Sequence, residues 1–245
     1  MLEAIWQMRY DDAVQTQKMK AEKCGVAACR KFMSGLMLLL LLANGCAAKK
    51  LLVQDPITGP SFKPTNVERR NLMLAPDSRR VAVLPVVADT EAQDGVETLA
   101  SVLRAELGRT RLFETVEVSA AHLERLTGKG SWSAEDRLPV KFFELLREEV
   151  GCDAVLFARL TQFRPYPPVA VGWRLKLVSA SEPMTIWSVD EVLDARDASV
   201  ANGARRYQLG TRPAFQDSDS RSILLSPKEF GHYVTSTLLA TLPDR

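Results

Sequence analysis

The sequence predicts one α/β domain over residues 80–245, with a mixed β-sheet and helices mainly on one face. Between residues 80 and 158, short Val-rich runs alternate with amphipathic helices, which is typical of parallel strands. Between residues 171 and 193, two strands follow each other directly, which is typical of an antiparallel hairpin. The 245-residue chain is 46% hydrophobic and 25% charged, an ordinary globular composition. No repeat of 20–50 residues indicates a solenoid.

The N-terminal region resembles a bacterial export signal that ends in a lipid attachment site. Arg30 and Lys31 precede a twelve-residue apolar run, residues 32–43. As a helix this run rises about 18 Å, short of the roughly 30 Å hydrocarbon core. The next residues, Leu42-Ala43-Asn44-Gly45-Cys46, resemble the lipobox of bacterial lipoproteins. Residues 1–45 are therefore interpreted as a signal peptide, with Met19 as the alternative start.

The lipobox resemblance implies that Cys46 is diacylated and becomes the new N-terminus. Ala47 in the following position implies the periplasmic face of the outer membrane, where the cell has one. The alternatives are an uncleaved anchor, or a cysteine that merely ends the signal. Cleavage also removes Cys24 and Cys29, so Cys152 has no disulfide partner and cysteines alone form no zinc site.

Residues 46–79 are interpreted as a lipidated cysteine followed by a flexible tether. Neither a helical nor an alternating pattern persists there, because proline and glycine interrupt it. These residues are Pro56, Gly59, Pro60, Pro64 and Pro76.

The domain begins with elements that alternate in type. The sequence predicts strands over 81–87, 114–118 and 154–158, and helices over 96–107, 119–126 and 139–150. The first helix has a single apolar stripe at i, i+3, i+7 and i+11. Ser119 is expected to cap the second helix, and Gly151 to end the third.

The second half of the domain begins with the hairpin, whose strands are predicted over 171–178 and 185–193. A helix is expected over 198–207, followed by a polar, mobile stretch over 210–222. The last helix starts at a capping box, Ser226-Pro227-Lys228-Glu229, with proline at its first position.

Four short passages resemble a group of bacterial envelope proteins. The group includes the curli-secretion lipoprotein CsgG, the LpoB-type activators of penicillin-binding proteins, and the TolB N-terminal domain. The passages are Arg80–Pro85, Leu103–Phe113, Val150–Leu156 and Thr185–Ser188. The resemblance covers roughly residues 80–195, and it implies the fold more strongly than the function.

By this resemblance, the domain docks onto an envelope assembly partner as a peptidoglycan-synthase activator does. The alternative is a subunit of a CsgG-like outer-membrane export or transport complex. A curli-type pore needs long amphipathic strands that close a barrel. Only the 170–195 hairpin is long enough, and Arg174 and Lys176 interrupt one of its faces.

Catalysis is not expected, and neither a cofactor nor a metal site is predicted. The sequence contains no phosphate-binding loop, dinucleotide fingerprint, zinc-protease motif or nucleophile elbow. Its two histidines, His122 and His232, are interpreted as partly exposed residues on helix faces, and Cys152 as a small core residue. Nucleic acid is not an expected partner either, because 32 basic and 30 acidic residues are interspersed without a basic stripe.

Two segments are candidates for partner binding. Phe163, Arg164 and Tyr166 lie among prolines between two strands, where a rigid exposed patch has a low ordering cost. The alternative is that the prolines only end the strand and Tyr166 folds back. Arg205 and Arg206 form a second candidate patch, with a solvated helix surface as the alternative.

Overall fold

A computed structural model of the chain describes residues 57–76, 78–211 and 219–245. Cys46 and the predicted signal peptide lie outside these residues. The strands are β1 Val67–Arg69, β2 Arg80–Val83, β3 Val87–Ala88, β4 Glu114–Glu117, β5 Ala154–Arg164, β6 Ala170–Ser179 and β7 Thr185–Asp194. The helices are α1 Val96–Thr110, α2 Ala120–Thr127, α3 Phe142–Val150, α4 Ala198–Thr211 and α5 Pro227–Leu239.

The seven strands form one mixed sheet in the order β1-β7-β6-β5-β2-β4, with β3 paired to β5 beyond β2. Strand β2 runs parallel to both β4 and β5, while β5, β6 and β7 form an antiparallel meander. The predicted strand over 81–87 is divided into β2 and β3. Pro85 lies between them and has no N–H for the ladder. The meander strands are longer than predicted, and β5 continues to Arg164.

Local signals set several helix ends as predicted. The Ser119 hydroxyl accepts from the His122 N–H, and the Ser226 hydroxyl accepts from the Glu229 N–H. Gly151 ends α3 at a φ of 67°, in the left-handed region that favours glycine.

Helices cover both faces of the sheet, and the three longest share one face. Helices α1, α4 and α5 bury apolar residues against the larger core, which includes Trp173 and Trp187. The shorter helices α2 and α3 pack on the other face around Phe142 and Phe157. This arrangement confirms the predicted α/β fold with helices mainly on one face.

Residues 57–76, which the sequence assigns to the tether, pack on the domain instead. Strand β1 pairs antiparallel with β7, so that Val67 lies opposite Val189. The buried Leu74 donates its N–H to the Asp244 carbonyl at 2.7 Å. Proline and glycine interrupt local periodicity, but they do not prevent pairing with strands that are distant in sequence. The rest of the predicted tether, residues 46–56, lies outside the described residues.

Within the ranges given above, no helix is both long and apolar enough to cross a membrane. Of the polar stretch predicted over 210–222, residues 212–218 fall outside the description, and Ser222–Leu224 forms a single 3₁₀ turn.

Candidate functional site

The turn between β5 and β6 carries the most exposed aromatic side chain that the structure describes. Tyr166 lies at its tip and is 79% exposed, so it does not fold back onto the domain. Val192 of the adjacent strand β7 is a second exposed apolar side chain at this end of the hairpin. The turn, residues 165–169, is called the docking turn below.

Arg164 ties the docking turn to the neighbouring strand. Its guanidinium donates to the Pro168 carbonyl across the turn and to Asp194 Oδ1 of β7 at 2.7 Å. Asp194 also accepts from the side chain and the backbone N–H of Arg196. Hydrogen bonds from Arg196, and then from Arg164, hold the pKa of Asp194 far below its usual range. The carboxylate therefore stays charged and keeps both arginines in place at neutral pH.

Phe163 anchors the other side of the docking turn. Its half-buried ring lies flat against Gly95, the last residue of the 3₁₀ turn before α1. A Cβ atom on Gly95 would lie only 2.5 Å from Phe163 Cγ, so this close approach requires glycine. Three of the predicted binding residues are thus brought together: Tyr166 faces solvent, while Phe163 and Arg164 hold the turn that carries it.

The other predicted patch has a different environment. Arg206 on α4 donates to the carbonyls of Ile57 and Gly59 and to the Ser61 hydroxyl. Arg205 donates to the Ser220 hydroxyl at 3.2 Å. The donors of Arg206 therefore hold residues 57–61 on α4. None of these hydrogen bonds reaches the docking turn.

A row of ion pairs crosses the sheet face that carries α2 and α3. Arg159 of β5 donates twice to Asp89, and Arg174 of β6 donates to Asp190 of β7. Glu135 lies 3.6 Å from both arginines. Burial alone raises the pKa of Glu135, but a hydrogen bond from Ser133 and the two positive charges outweigh it and lower the pKa. The charges in this row satisfy one another.

The remaining titratable groups also have structural surroundings. His232 is partly exposed on α5, as predicted, and its Nδ1 lies 2.6 Å from Oε1 of the buried Glu106, which links α5 to α1. Burial raises the pKa of the Cys152 thiol, as expected for a core cysteine. Over the described ranges, no three His, Cys, Asp or Glu side chains are placed to hold a metal ion.

Two features of the site are not evident from sequence reasoning. Asp194 and Gly95 complete the docking turn, although they lie about 30 and 70 positions from it along the chain. The local sequence indicates only the end of a strand at Asp194 and the start of a helix at Gly95. Their contacts depend on strand pairing, which brings distant residues together.

The chain matches no family model and no curated protein. Among solved structures it is similar to the PelC dodecamer from Paraburkholderia phytofirmans, with 16% identity and a TM-score of 0.45 over 73% of this chain and 96% of that one. It is also similar to a lipoprotein from Neisseria meningitidis, with 18% identity and a TM-score of 0.39 over 55% and 99%. The Escherichia coli LpoB C-terminal domain gives 21% identity and a TM-score of 0.30 over 47% and 82%.

LpoB also belongs to the group that the sequence passages resemble. All three TM-scores are below 0.5.

Proposed function

We propose that this chain is a lipid-anchored, non-catalytic protein of the bacterial cell envelope, and that its domain docks onto a protein partner through the docking turn. In this proposal Cys46 carries the lipid at the periplasmic face of the outer membrane. The lipobox-like residues 42–46 and the charged and apolar residues before them support the anchor.

The observation that carries the proposal is the exposure of Tyr166 on a turn held from both sides. Phe163 packs on Gly95 on one side, and Arg164 bonds to Asp194 on the other. A preorganised turn loses little conformational entropy when it binds. Tyrosine supplies a large contact area with a polar end, and it is enriched among the residues that dominate binding energy.

The arrangement of charged side chains supports a non-catalytic role. Arg159 and Arg174 pair with Asp89, Glu135 and Asp190, so that every charged group of the row has a partner of opposite sign. Enzymes usually keep an acid, base or nucleophile poised in a cleft, with its partner left for the substrate. The charges of this row are instead satisfied by one another across the sheet.

The anchor and the docking turn have complementary roles in this mechanism. A lipid on Cys46 confines the domain to one membrane and raises its effective concentration for partners within reach. The docking turn then selects the partner. The sequence resemblance favours an envelope assembly machine such as a peptidoglycan synthase, and the alternative is an export or transport complex.

The test is an in-cell cross-linked pull-down of the full-length protein, with partners identified by mass spectrometry. Removal of a central tyrosine typically costs about 2 kcal/mol, which weakens binding about 30-fold. We therefore expect Tyr166→Ala to lose the cross-linked partner. The matched control is Val140→Ala, which truncates a fully exposed apolar side chain elsewhere and leaves the yield unchanged.

Two results would contradict the proposal. Equal partner yields from wild type and Tyr166→Ala would exclude the docking turn as the contact. Recovery of only copies of this chain, in large symmetric rings, would favour the export-complex alternative.

A further inference from the structure

We propose a second interaction surface: the outer edge of β4, with the crevice beside it, binds an extended segment of another protein. That segment carries a basic residue opposite Glu117 of β4 and an apolar side chain that enters the crevice. This surface is separate from the docking turn and does not depend on it.

The outer edge of β4 has unpaired backbone groups. In the described part of the chain, β4 ends the sheet and pairs only with β2. The N–H groups of Glu114 and Val118 point inward, to the carbonyls of Arg79 and Val83. Because peptide groups alternate along a strand, those of Thr115 and Glu117 point outward.

An extended backbone is the ligand that complements such an edge. Its own donors and acceptors alternate with the same spacing, and peptide recognition by strand addition uses this match. Glu114, Thr115 and Glu117 are exposed, so no described side chain covers the edge.

The crevice lies where the chain leaves β2 and β4 in opposite directions. From β2 it passes to α1 on one face, and from β4 to α2 on the other. Such a switch in direction opens a gap at the carboxyl ends of the strands. The gap has a volume of about 370 Å³, at the small end of ligand pockets. The half-buried Val86, Val96 and Ala100 give it an apolar lining.

The charge of β4 indicates which kind of segment fits. Glu114 and Glu117 are 68% and 59% exposed, and Oε1 of each contacts an arginine, Arg80 at 3.5 Å and Arg104 at 2.6 Å. Glu117 lines the crevice, and its Oε2 accepts no hydrogen bond from a described residue, so it can accept from a lysine or arginine across the edge. A second copy of β4 would bring two more glutamates and no basic residue. A segment of another protein therefore complements the edge better than a second copy does.

The experiment selects octapeptides from a random display library against the full-length protein in mild detergent. A synthetic copy of the most enriched peptide is then used for hydrogen exchange and affinity measurements. We expect enriched peptides to combine Lys or Arg with a nearby Leu, Val or Phe. Bound peptide should slow the exchange of the Thr115 and Glu117 N–H groups, which face solvent in the free protein.

Two substitutions at one position test the backbone contact. Thr115→Pro removes an outward N–H but keeps the ladder to β2, so it should weaken peptide binding about tenfold. Thr115→Val keeps the N–H and should bind as wild type does.

Two further variants keep the test decisive if Thr115→Pro does not fold. Glu117→Lys reverses the charge facing the peptide and should weaken binding about tenfold. Ala100→Phe fills the crevice, and it should abolish the preference for an apolar residue in the peptide.

Several outcomes would overturn the proposal. These are the absence of any enriched peptide, protection that falls outside residues 84–120, or equal binding by Thr115→Pro and Thr115→Val. Protection of β4 that rises with protein concentration alone would assign the edge to a second copy. Tyr166→Ala should leave peptide binding unchanged. A wrong proposal for the β4 edge is therefore distinguishable from a wrong proposal for the docking turn.

Discussion

Gly203 of α4 allows the close approach of α5, and its replacement by alanine tests the packing of the larger core. A Cβ atom at this position would lie 2.2 Å from the Tyr233 hydroxyl oxygen and 3.0 Å from its Cζ. Tyr233 is 4% exposed, and the rings of Phe230 and Tyr207 lie 5.9 Å from its own. The tyrosine is therefore buried beside two other rings, which restrict its movement.

Two opposing effects set the change in the free energy of unfolding that Gly203→Ala causes. Alanine is favoured over glycine inside a helix by about 1 kcal/mol, whereas overpacking a well-packed core costs about 1–3 kcal/mol. Gly108 of α1 provides the matched control, because a Cβ atom there has no heavy atom within 4 Å. We expect Gly108→Ala to stabilise the fold. Gly203→Ala should be about 1–3 kcal/mol less stable than that control.

The assay is urea denaturation of the two variants and the wild type, followed by fluorescence and circular dichroism. Tyr233→Phe removes the nearest atom in the clash, so it should recover part of the loss when combined with Gly203→Ala. Equal stability of Gly203→Ala and Gly108→Ala would contradict the proposed clash. So would an equal loss of stability from Gly203→Ala with tyrosine and with phenylalanine at position 233.

Three further predictions concern single groups. The native Cys152 thiol should react with alkylating reagents at pH 8 only as fast as the protein unfolds. Burial raises the pKa of this thiol and excludes the reagent. Fast alkylation of Cys152 in the native protein would contradict this. Burial raises the pKa of Tyr233 to about 12 from 10, so its contribution to stability is present below pH 10 and is lost as the pH rises towards 12. Relative to Tyr233→Phe, wild-type stability should therefore fall by roughly 3 kcal/mol over this interval in urea titrations, and a constant difference would contradict the assignment. Cys46→Ala should abolish both acyl labelling and membrane retention of the full-length chain, and retention of either would contradict the lipoprotein interpretation.

The elements that the sequence predicts well are those specified by neighbouring residues. The cap at Ser119, the capping box at Ser226 and the glycine after α3 all act within one helical turn, and each lies where it was predicted. Strand β1 was missed because its three residues have no apolar alternation and only Val67 is half-buried. Its partner on β7 lies about 120 residues away, and no local pattern encodes that pairing.

The candidate site shows the same division. The prolines around Tyr166 are a local signal for a turn, but they leave open whether the tyrosine is exposed or folds back, and the structure shows it exposed. The role of Arg206 does not follow from local sequence, because its donors reach carbonyls roughly 147 positions away. On a helix surface, an arginine bound to solvent and an arginine bound to a distant backbone have the same local pattern. Only the fold distinguishes them.

The order of strands separates the edge of β4, but not the docking turn, from the N-terminal residues 57–69. Strands β2, β4 and β5 are mutually parallel, so the crevice and the docking turn lie at the same end of the sheet, where these strands finish. The N-terminal segment lies at the opposite edge from β4, because β1 pairs with β7 and Arg206 holds Gly59 on α4. Residues 57–66 run towards the docking-turn end of β7, because Thr65 donates its N–H to Glu191 Oε1 at 2.6 Å. A partner can therefore meet the edge of β4 without approaching β1, whereas a partner at the docking turn comes near these residues.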